Sequence, residues 1–272
     1  TSITIKHEGK NTALSSLRVA GGSTTQLTAT GWYYGNKVYS ADTSFTWSVS
    51  DALGTIDEDG TFTAVQTGRD VTYGETSCTL PVTVGSSQPF DDTKGHWAES
   101  YITELYYAGT LQGSEKNGKL YYRPDASMTR QEFIVAMMRY LGTDLSAYAS
   151  VQLPFDDSGS IASWAKSAMQ AAYQLGYLTG SKTNGKLLAK PGSTISRQEA
   201  MTILSRTKDF ADADLNVLSA FSDSGKIADW ARTALAQMTQ QKIISGSKGK
   251  LNPTGKVTRA EVAKMLYMLS ET

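Results

Sequence analysis

Three short segments of the chain place an arginine between a hydroxyl residue and a glutamate. They read MTRQEF, ISRQEA and VTRAEV, and their arginines are Arg130, Arg197 and Arg259. A guanidinium group can hold a carboxylate or a phosphate through two parallel hydrogen bonds. A helix N-terminus adds positive potential of its own. The repeated segment therefore predicts an anion-binding group, provided that each arginine lies at the start of a helix.

The neighbours of each arginine predict such a helix start. A hydroxyl residue suited to the N-cap precedes each arginine, and a glutamate stands two positions after it: Thr129, Ser196, Thr258, Glu132, Glu199 and Glu261. This pattern is a capping box, in which the hydroxyl and the carboxylate satisfy backbone N–H groups. It does not explain a cation at the first helical position, which the helix dipole mildly opposes.

Two explanations of the arginines stay open. Each arginine either binds an anion from outside the protein or pairs with a carboxylate of a neighbouring unit. The candidate carboxylates are Asp92, Asp157 and Asp223.

The arginines belong to a unit that occurs three times, opening at Phe90, Phe155 and Phe221. A Trp-Ala step, a Gly-Ser pair, a polar loop and a proline follow each opening in order. The tryptophans are Trp97, Trp164 and Trp230, and the pairs are Gly113-Ser114, Gly180-Ser181 and Gly246-Ser247. Apolar residues at helical spacing follow each tryptophan and each arginine. Each unit is therefore predicted to be helix, loop, helix, with its tryptophan in the core. Since one such pair cannot bury its apolar face alone, three should share a core.

In the first 85 residues, apolar residues recur at every second position instead of at helical spacing. Apolar and polar residues alternate in FTWSVS and in SCTLPVTV, and the turn sequence DEDG (57–60) precedes TFTAV. Short alternating segments separated by turns predict a small β-sandwich. Cys78 alternates with apolar residues, so we expect it to be buried. From Phe90 onward the spacing is helical and no strands are expected.

Composition excludes several classes of function. The 272 residues carry zero net charge, which argues against nucleic acid as a partner. No apolar run approaches the roughly 20 residues of a membrane span. His7 and His96 are the only histidines and Cys78 is the only cysteine, so no catalytic base or metal cluster is indicated. We predict no enzyme activity and no cofactor.

The start at Thr1, without an initiator Met or a signal peptide, predicts a piece of a longer protein.

The order Phe-x-Asp, Trp, helix, Gly-Ser, Pro, Thr-Arg-Ala-Glu, helix closely resembles the surface-layer homology (SLH) repeat, from about Pro89 to the C-terminus. The segment from Trp47 to Gly68, WSVSDALGTIDEDGTFTAVQTG, resembles bacterial immunoglobulin-like domains of group 2. Together the resemblances imply a multidomain α+β chain: an immunoglobulin-like β-sandwich (1–85), a linker (86–89) and three repeats (90–150, 151–215 and 216–272). The repeats would form an all-α, pseudo-threefold bundle.

The SLH resemblance also implies a function. Grooves between such repeats bind secondary cell wall polymers of Gram-positive-type envelopes, often through a pyruvate ketal on N-acetylmannosamine. The chain would thus be an extracellular anchor held non-covalently on the wall. Arg130, Arg197 and Arg259 would contact the carboxylate, and the Gly-Ser pairs would approach the ketal. Asp92, Asp157 and Asp223 would contact sugar or fix the groove, and an edge of each tryptophan could meet a sugar face.

Unequal grooves are expected, because the third unit has a shorter loop and the first has a shorter opening that contains His96. Three alternative functions stay open. The chain could be the anchoring tail of a larger surface enzyme, a self-assembling surface-layer protein, or an adhesin acting through its β-sandwich.

Overall fold

The computed structural model describes residues 89–270 continuously and, before them, nine strands. These are β1 (Ser2–His7), β2 (Leu17–Ala20), β3 (Thr24–Tyr33), β4 (Asn36–Lys37), β5 (Ser48–Val49), β6 (Gly54–Ile56), β7 (Thr61–Ala64), β8 (Val71–Thr72) and β9 (Val82–Gly85). The chain divides into two compact units. One contains the chain through Gly95 with Thr103–Ala108 and Ser114–Tyr121, and the other contains His96–Ile102, Gly109–Gly113 and the chain from Tyr122 onward.

The N-terminal strands form three sheets. The largest has the order β1-β3-β7-β6 with β4 beside β3, and all its pairings are antiparallel. Strand β2 pairs with β9 in parallel, and β5 pairs with β8 antiparallel. Leu27 and Phe62 are buried. The strand expected at TFTAV is confirmed by β7, whereas Trp47 and Cys78 lie outside the described residues. The immunoglobulin-like sandwich stays a prediction.

Residues 89–270 contain six α-helices, two for each repeat. They are α1 (Glu99–Tyr107), α2 (Arg130–Tyr140), α3 (Lys166–Gln174), α4 (Arg197–Ser205), α5 (Asp229–Gln240) and α6 (Arg259–Ser270). The predicted apolar stripes are buried in all of them: Ile102, Leu105, Ala136, Met137, Met169, Ala172, Ile203, Leu204, Leu235, Met238, Met265 and Leu266. The helix-loop-helix prediction is confirmed. Within the part of the chain that is described, no helix has the length and apolar character needed to cross a membrane.

The expectation of an all-α repeat is wrong, because two of the loops form β-hairpins. Strand β10 (Ser114–Lys116) pairs with β11 (Lys119–Tyr121), and β12 (Ser181–Thr183) pairs with β13 (Lys186–Leu188). Each hairpin turns at an Asn-Gly pair in which both residues have positive φ, for example 50° and 78° at Asn184 and Gly185. Tight two-residue hairpin turns favour this pair. In the shorter third loop, only a bridge between Ser247 and Lys250 forms.

A closed cycle of backbone hydrogen bonds joins the three repeats just before their second helices. Met128 N–H donates to Val257 O (3.1 Å), Val257 N–H donates to Ile195 O (3.0 Å), and Ile195 N–H donates to Met128 O (2.9 Å). All three side chains are buried. Each repeat gives one donor and one acceptor, so the cycle has pseudo-threefold symmetry. It fixes the starts of α2, α4 and α6 around one axis.

The glycine of the Gly-Ser pair is required by the phenylalanine that opens the same repeat. Gly246 has a φ of +68°, and a Cβ there would lie 2.6 Å from Lys250 O and 2.8 Å from the Phe221 ring. A Cβ at Gly180 would lie 2.6 Å from the Phe155 ring. Both rings are buried. The glycine therefore lets the loop lie against the core.

We predict that Gly246→Ala lowers the free energy of unfolding by about 3 kcal/mol, since backbone strain and overpacking add. Gly249→Ala is the matched control, because Gly249 has a φ of +70° but open space around its Cβ position. It should cost only the strain, about 1–2 kcal/mol. Urea unfolding of both variants measures the difference. Equal losses would show that the contact with Phe221 and Lys250 is unimportant.

Candidate functional site

The guanidinium of Arg130 is buried between two repeats, and its Nε and Nη1 groups both donate hydrogen bonds within the protein. The residue is 9% exposed. Its Nε donates to Ala189 O (3.0 Å) and its Nη1 donates to Glu199 Oε1 (2.9 Å). Burial lowers the pKa of Arg130, and the Glu199 carboxylate opposes that shift. The cation is thus desolvated and compensated by an acid of the next repeat.

Arg197 repeats this arrangement one unit further along the chain. It is also 9% exposed. Its Nε donates to Leu251 O (2.9 Å), and its Nη1 lies 2.7 Å from Glu261 Oε1. For two of the three arginines, pairing with a protein carboxylate is therefore the observed arrangement.

Each of these glutamates also caps its own helix. Glu199 Oε2 accepts hydrogen bonds from the backbone N–H (2.8 Å) and the hydroxyl (2.7 Å) of Ser196. Glu261 Oε2 accepts from Thr258 N–H (2.9 Å). The predicted capping boxes are confirmed at Thr129 and Ser196. One carboxylate therefore closes a capping box with one oxygen and binds the arginine of the preceding repeat with the other.

The helix starts offer no open N–H groups to an anion at their first two positions. Arg130 N–H donates to Ser193 O (3.0 Å), and Gln131 N–H donates to Pro191 O (3.1 Å). The loops of the neighbouring repeats supply acceptors in the same way to Arg197, Gln198, Arg259 and Ala260. The expectation that an anion binds at these helix N-termini is therefore wrong, because protein carbonyls occupy those donors. Only the arginine side chains remain as donors to a ligand.

Arg259 has different partners from the other two arginines. Its Nε donates to Tyr122 O (2.7 Å), its Nη2 donates to Gln112 O (2.8 Å), and its guanidinium lies 4.4 Å from the centre of the Tyr122 ring. Burial raises the pKa of Tyr122 to about 12. Among the described residues, no carboxylate lies within 4.0 Å of the Arg259 guanidinium. Glu132 Oε2 instead bonds the N–H and hydroxyl of Thr129.

The aspartates that follow the opening phenylalanines bind the loop of their own repeat. Asp157 accepts from Ala189 N–H (2.8 Å) and Lys190 N–H (2.7 Å). Asp223 makes the same two bonds, to Leu251 and Asn252. Burial opposes ionisation of Asp223, but these N–H groups outweigh it and hold the pKa of the carboxyl below its ordinary 3.8.

The suggestion that these aspartates form the ion pairs with the arginines is therefore wrong. The pairs are made by glutamates, and Asp157 and Asp223 fix the loop. Asp92 is partly buried and belongs to the first of the two compact units, which contains the chain through Gly95.

The tryptophans are exposed, so the expectation that they lie in the core is wrong. Trp97, Trp164 and Trp230 are 55%, 58% and 59% exposed, whereas the alanine after each one is fully buried. Alanine takes the inward position where the helix packs closely.

The glutamine after each of the first two arginines holds the segment just before a tryptophan. Gln131 Oε1 accepts from Ala162 N–H, and Gln198 Oε1 accepts from Ala228 N–H, both at 3.0 Å. In the first repeat His96 Nδ1 accepts from Ala98 N–H (3.1 Å) instead.

Two grooves between repeats bring the predicted residues together. The Arg130 groove has a volume of about 350 Å³. The residues that line it include Arg130, Gly180, Ser181, Glu199, Arg206 and Trp230. The Arg197 groove has a volume of about 690 Å³ and contains Trp97, Arg197, Gly246, Ser247, Glu261 and Lys264. Each groove takes its arginine from one repeat, its Gly-Ser pair and glutamate from the next, and its tryptophan from the third.

The remaining predicted residues lie outside these two grooves. They are Arg259, Gly113, Ser114, Asp92, Asp157, Asp223 and Trp164. The repeated pattern did not indicate Arg206 and Lys264 as lining residues, although Arg206 lies directly after helix α4 and Lys264 lies on helix α6. The pattern indicated Glu199 and Glu261 only as helix caps.

The groove surfaces suit a polar ligand with an apolar face. Each contains a serine, a guanidinium beside a carboxylate, and an exposed indole ring. Within the described ranges, no group of three His, Cys, Asp or Glu residues is placed to hold a metal ion. The donors and the ring together match a carbohydrate with a charged substituent.

The comparisons with known proteins agree on one family. The S-layer homology domain model matches residues 89–134, 154–201 and 220–263, just over half of the chain. An amylopullulanase of Thermoanaerobacterium thermosulfurigenes is 28% identical over 206 residues, 74% of this chain and 10% of that protein. Exoglucanase XynX of Acetivibrio thermocellus is 29% identical over 189 residues, 68% of this chain and 16% of that protein.

A surface-layer protein matches the chain to a similar extent. The surface-layer 125 kDa protein of Lysinibacillus sphaericus is 32% identical over 192 residues, 66% of this chain and 15% of that protein. The chain thus spans less than a fifth of the length of these relatives.

We predict that Glu199→Gln lowers the free energy of unfolding by about 2–3 kcal/mol, because it leaves the buried Arg130 charge without its partner. Glu132→Gln removes the same charge from a capping box whose glutamate pairs with no arginine among the described residues, and should cost about 1 kcal/mol. Urea unfolding at neutral pH compares the two variants. If the two substitutions cost the same, the link between repeats adds nothing to stability.

Proposed function

Because the chain belongs to the S-layer homology domain family, we propose that it anchors a protein non-covalently to the cell wall by binding an acidic secondary cell wall polymer. The chain is located at the cell wall or cell surface. SLH domains are anchoring modules and not catalytic centres, and we propose that this chain catalyses no reaction. Its grooves are the proposed binding sites.

The observation that carries this proposal is the exposed tryptophan facing a buried arginine in the same groove. Trp230 lines the Arg130 groove and Trp97 lines the Arg197 groove, and both are more than half exposed. A large indole surface left in water loses the free energy that burial would give it. The apolar face of a sugar ring can cover the indole, while the polar edge meets the donors opposite.

The arginines retain donors for such a ligand. In the described part of the chain, the hydrogen bonds and ion pairs of Arg130 and Arg197 involve Nε and Nη1. The Nη2 groups are left for a carboxylate or a sugar hydroxyl. We propose a pyruvate ketal on N-acetylmannosamine as the ligand group, with Ser181 and Ser247 beside it.

Ligand contacts at Gly113 and Ser114 stay predictions, and we propose that Arg259 binds a ligand with a different strength from Arg130 and Arg197. Arg259 gives both Nε and Nη2 to backbone carbonyls and stacks on Tyr122. It keeps as many donors for a ligand as Arg130 and Arg197 keep, but both of its partners are neutral carbonyls. We expect the affinity of Arg259 for an acidic ligand to differ from that of the other two arginines.

The domain arrangement completes the proposal. The N-terminal strands are proposed to form an immunoglobulin-like spacer over residues 1–85, followed by a linker at 86–89. Repeats are proposed at 90–150, 151–215 and 216–272. A second candidate function is the anchoring tail of a larger surface enzyme. It is favoured by the two glycoside-degrading relatives, of which this chain matches only a tenth to a sixth of the length.

We expect Trp97→Ala and Trp230→Ala each to weaken binding of a pyruvylated N-acetylmannosamine disaccharide about tenfold at one groove, about 1.4 kcal/mol. Both rings are exposed, so the unfolding curves should not change. Leu215→Ala removes a similarly exposed apolar side chain (44%) outside both grooves and is the control. Calorimetry with the disaccharide and its depyruvylated form provides the measurement. Equal affinity for the two sugars would reject recognition of the acid, and no binding of either would reject the proposed function.

A further inference from the structure

The repeated segment alone gives neither groove a surplus of positive charge, because each of its arginines is paired with a glutamate. Arg130 is paired with Glu199 and Arg197 with Glu261, at 2.9 and 2.7 Å. Each pair is neutral as a whole. An incoming carboxylate that met only such a pair would add an uncompensated negative charge to a partly buried place, which is unfavourable. A further cation is therefore needed wherever an acidic ligand is to bind.

The Arg130 groove contains such a cation in Arg206. Its Nη1 donates to Tyr177 O (2.8 Å) and to Thr179 Oγ1 (3.4 Å), and both acceptors are neutral. Within residues 89–270, no carboxylate lies within ion-pair distance of it. Burial and, secondly, the positive charge of Arg130 lower the pKa of Arg206. The groove thus holds two guanidinium groups and one carboxylate, Glu199.

The Arg197 groove is lined by three lysines in addition to Arg197. Lys248 and Lys250 are exposed on the loop, whereas Lys264 is half-buried on helix α6, where water and salt screen its charge less. Lys264 lines this groove and has no carboxylate at ion-pair distance among the described residues. It stands six positions after Thr258, where the second repeat has Thr202. The position of Arg206, ten after the N-cap, is Met268 in the third repeat. Positions six and ten lie one turn apart on the same helix face.

We propose that Arg206 and Lys264 determine the specificity of the two grooves for an acidic saccharide, while Arg130 and Arg197 chiefly join the repeats. This inference rests on the proposed function and names the residues that select the acid. The surplus cation compensates the ligand carboxylate, which the Arg-Glu pair cannot do by itself. The serine hydroxyls and the tryptophan then contact the neutral part of the sugar.

The test compares two probes on the whole chain: the pyruvylated N-acetylmannosamine disaccharide and its methyl ester, which has the same shape without the charge. The variants are Arg206→Gln, Lys264→Gln and the double variant. Lys226→Gln is the control for net charge, since Lys226 is exposed and lines neither groove. Calorimetry at two salt concentrations gives the affinities, and urea unfolding verifies the fold.

We expect the double variant to bind the acid about tenfold more weakly or worse, as for loss of a charge-assisted contact. The ester affinity should not change, and the salt dependence of acid binding should become shallower. Each single variant should weaken only one of the two sites. In the Lys264→Gln background, Met268→Arg should restore preference for the acid, because it places a cation at the position that Arg206 holds in the other groove.

Unchanged acid affinity in the double variant would overturn the proposal. Equal loss of acid and ester binding would also overturn it, since that result indicates a structural role. If the unaltered chain binds neither probe, the proposed function fails and the inference fails with it. If the unaltered chain binds both probes equally, wall anchoring survives but selection of the acid does not.

Discussion

The arrangement of the repeats depends on a carboxylate that is shared between a helix cap and the arginine of the preceding repeat. Glu199 and Glu261 each use one oxygen to close a capping box and the other to hold a guanidinium that is 9% exposed. A buried arginine is costly without a partner. Because the helix start of the next repeat supplies that partner, the buried guanidinium is paired only when the two repeats lie together. The segment Ser/Thr-Arg-x-Glu is therefore complementary to another copy of itself.

This interaction also places the side chains that line the two grooves. The arginine enters the next repeat beside its Gly-Ser loop, and the aspartates Asp157 and Asp223 hold those loops by two N–H groups each. The loop can approach the core only because its glycine leaves room for a phenylalanine ring. The same short segments thus join the repeats and line the grooves, and the grooves differ where single residues of the second helices differ.

Much of this architecture can be predicted from the sequence, because it is local. Helix starts, apolar stripes and the three units all follow from spacing within a repeat. The partner of each arginine does not, since Glu199 and Asp157 are equally plausible until the repeats are placed around an axis. The position of each tryptophan before the apolar stripe predicts that it lies in the core, but the small alanine beside it fits the interior better. The Asn-Gly pairs at 117–118 and 184–185 did contain a hairpin signal. The groove cations Arg206 and Lys264 could not be recognised from spacing, because they occupy non-equivalent positions.

The cycle of hydrogen bonds through Met128, Val257 and Ile195 joins all three repeats at one buried axis. Each member gives one N–H and one C=O, so in this geometry all six groups are paired only while all three repeats are in place. Loss of one repeat would leave a donor and an acceptor unsatisfied among buried side chains. Gene duplication could therefore supply the copies in tandem, while the buried axis requires one donor and one acceptor from each copy.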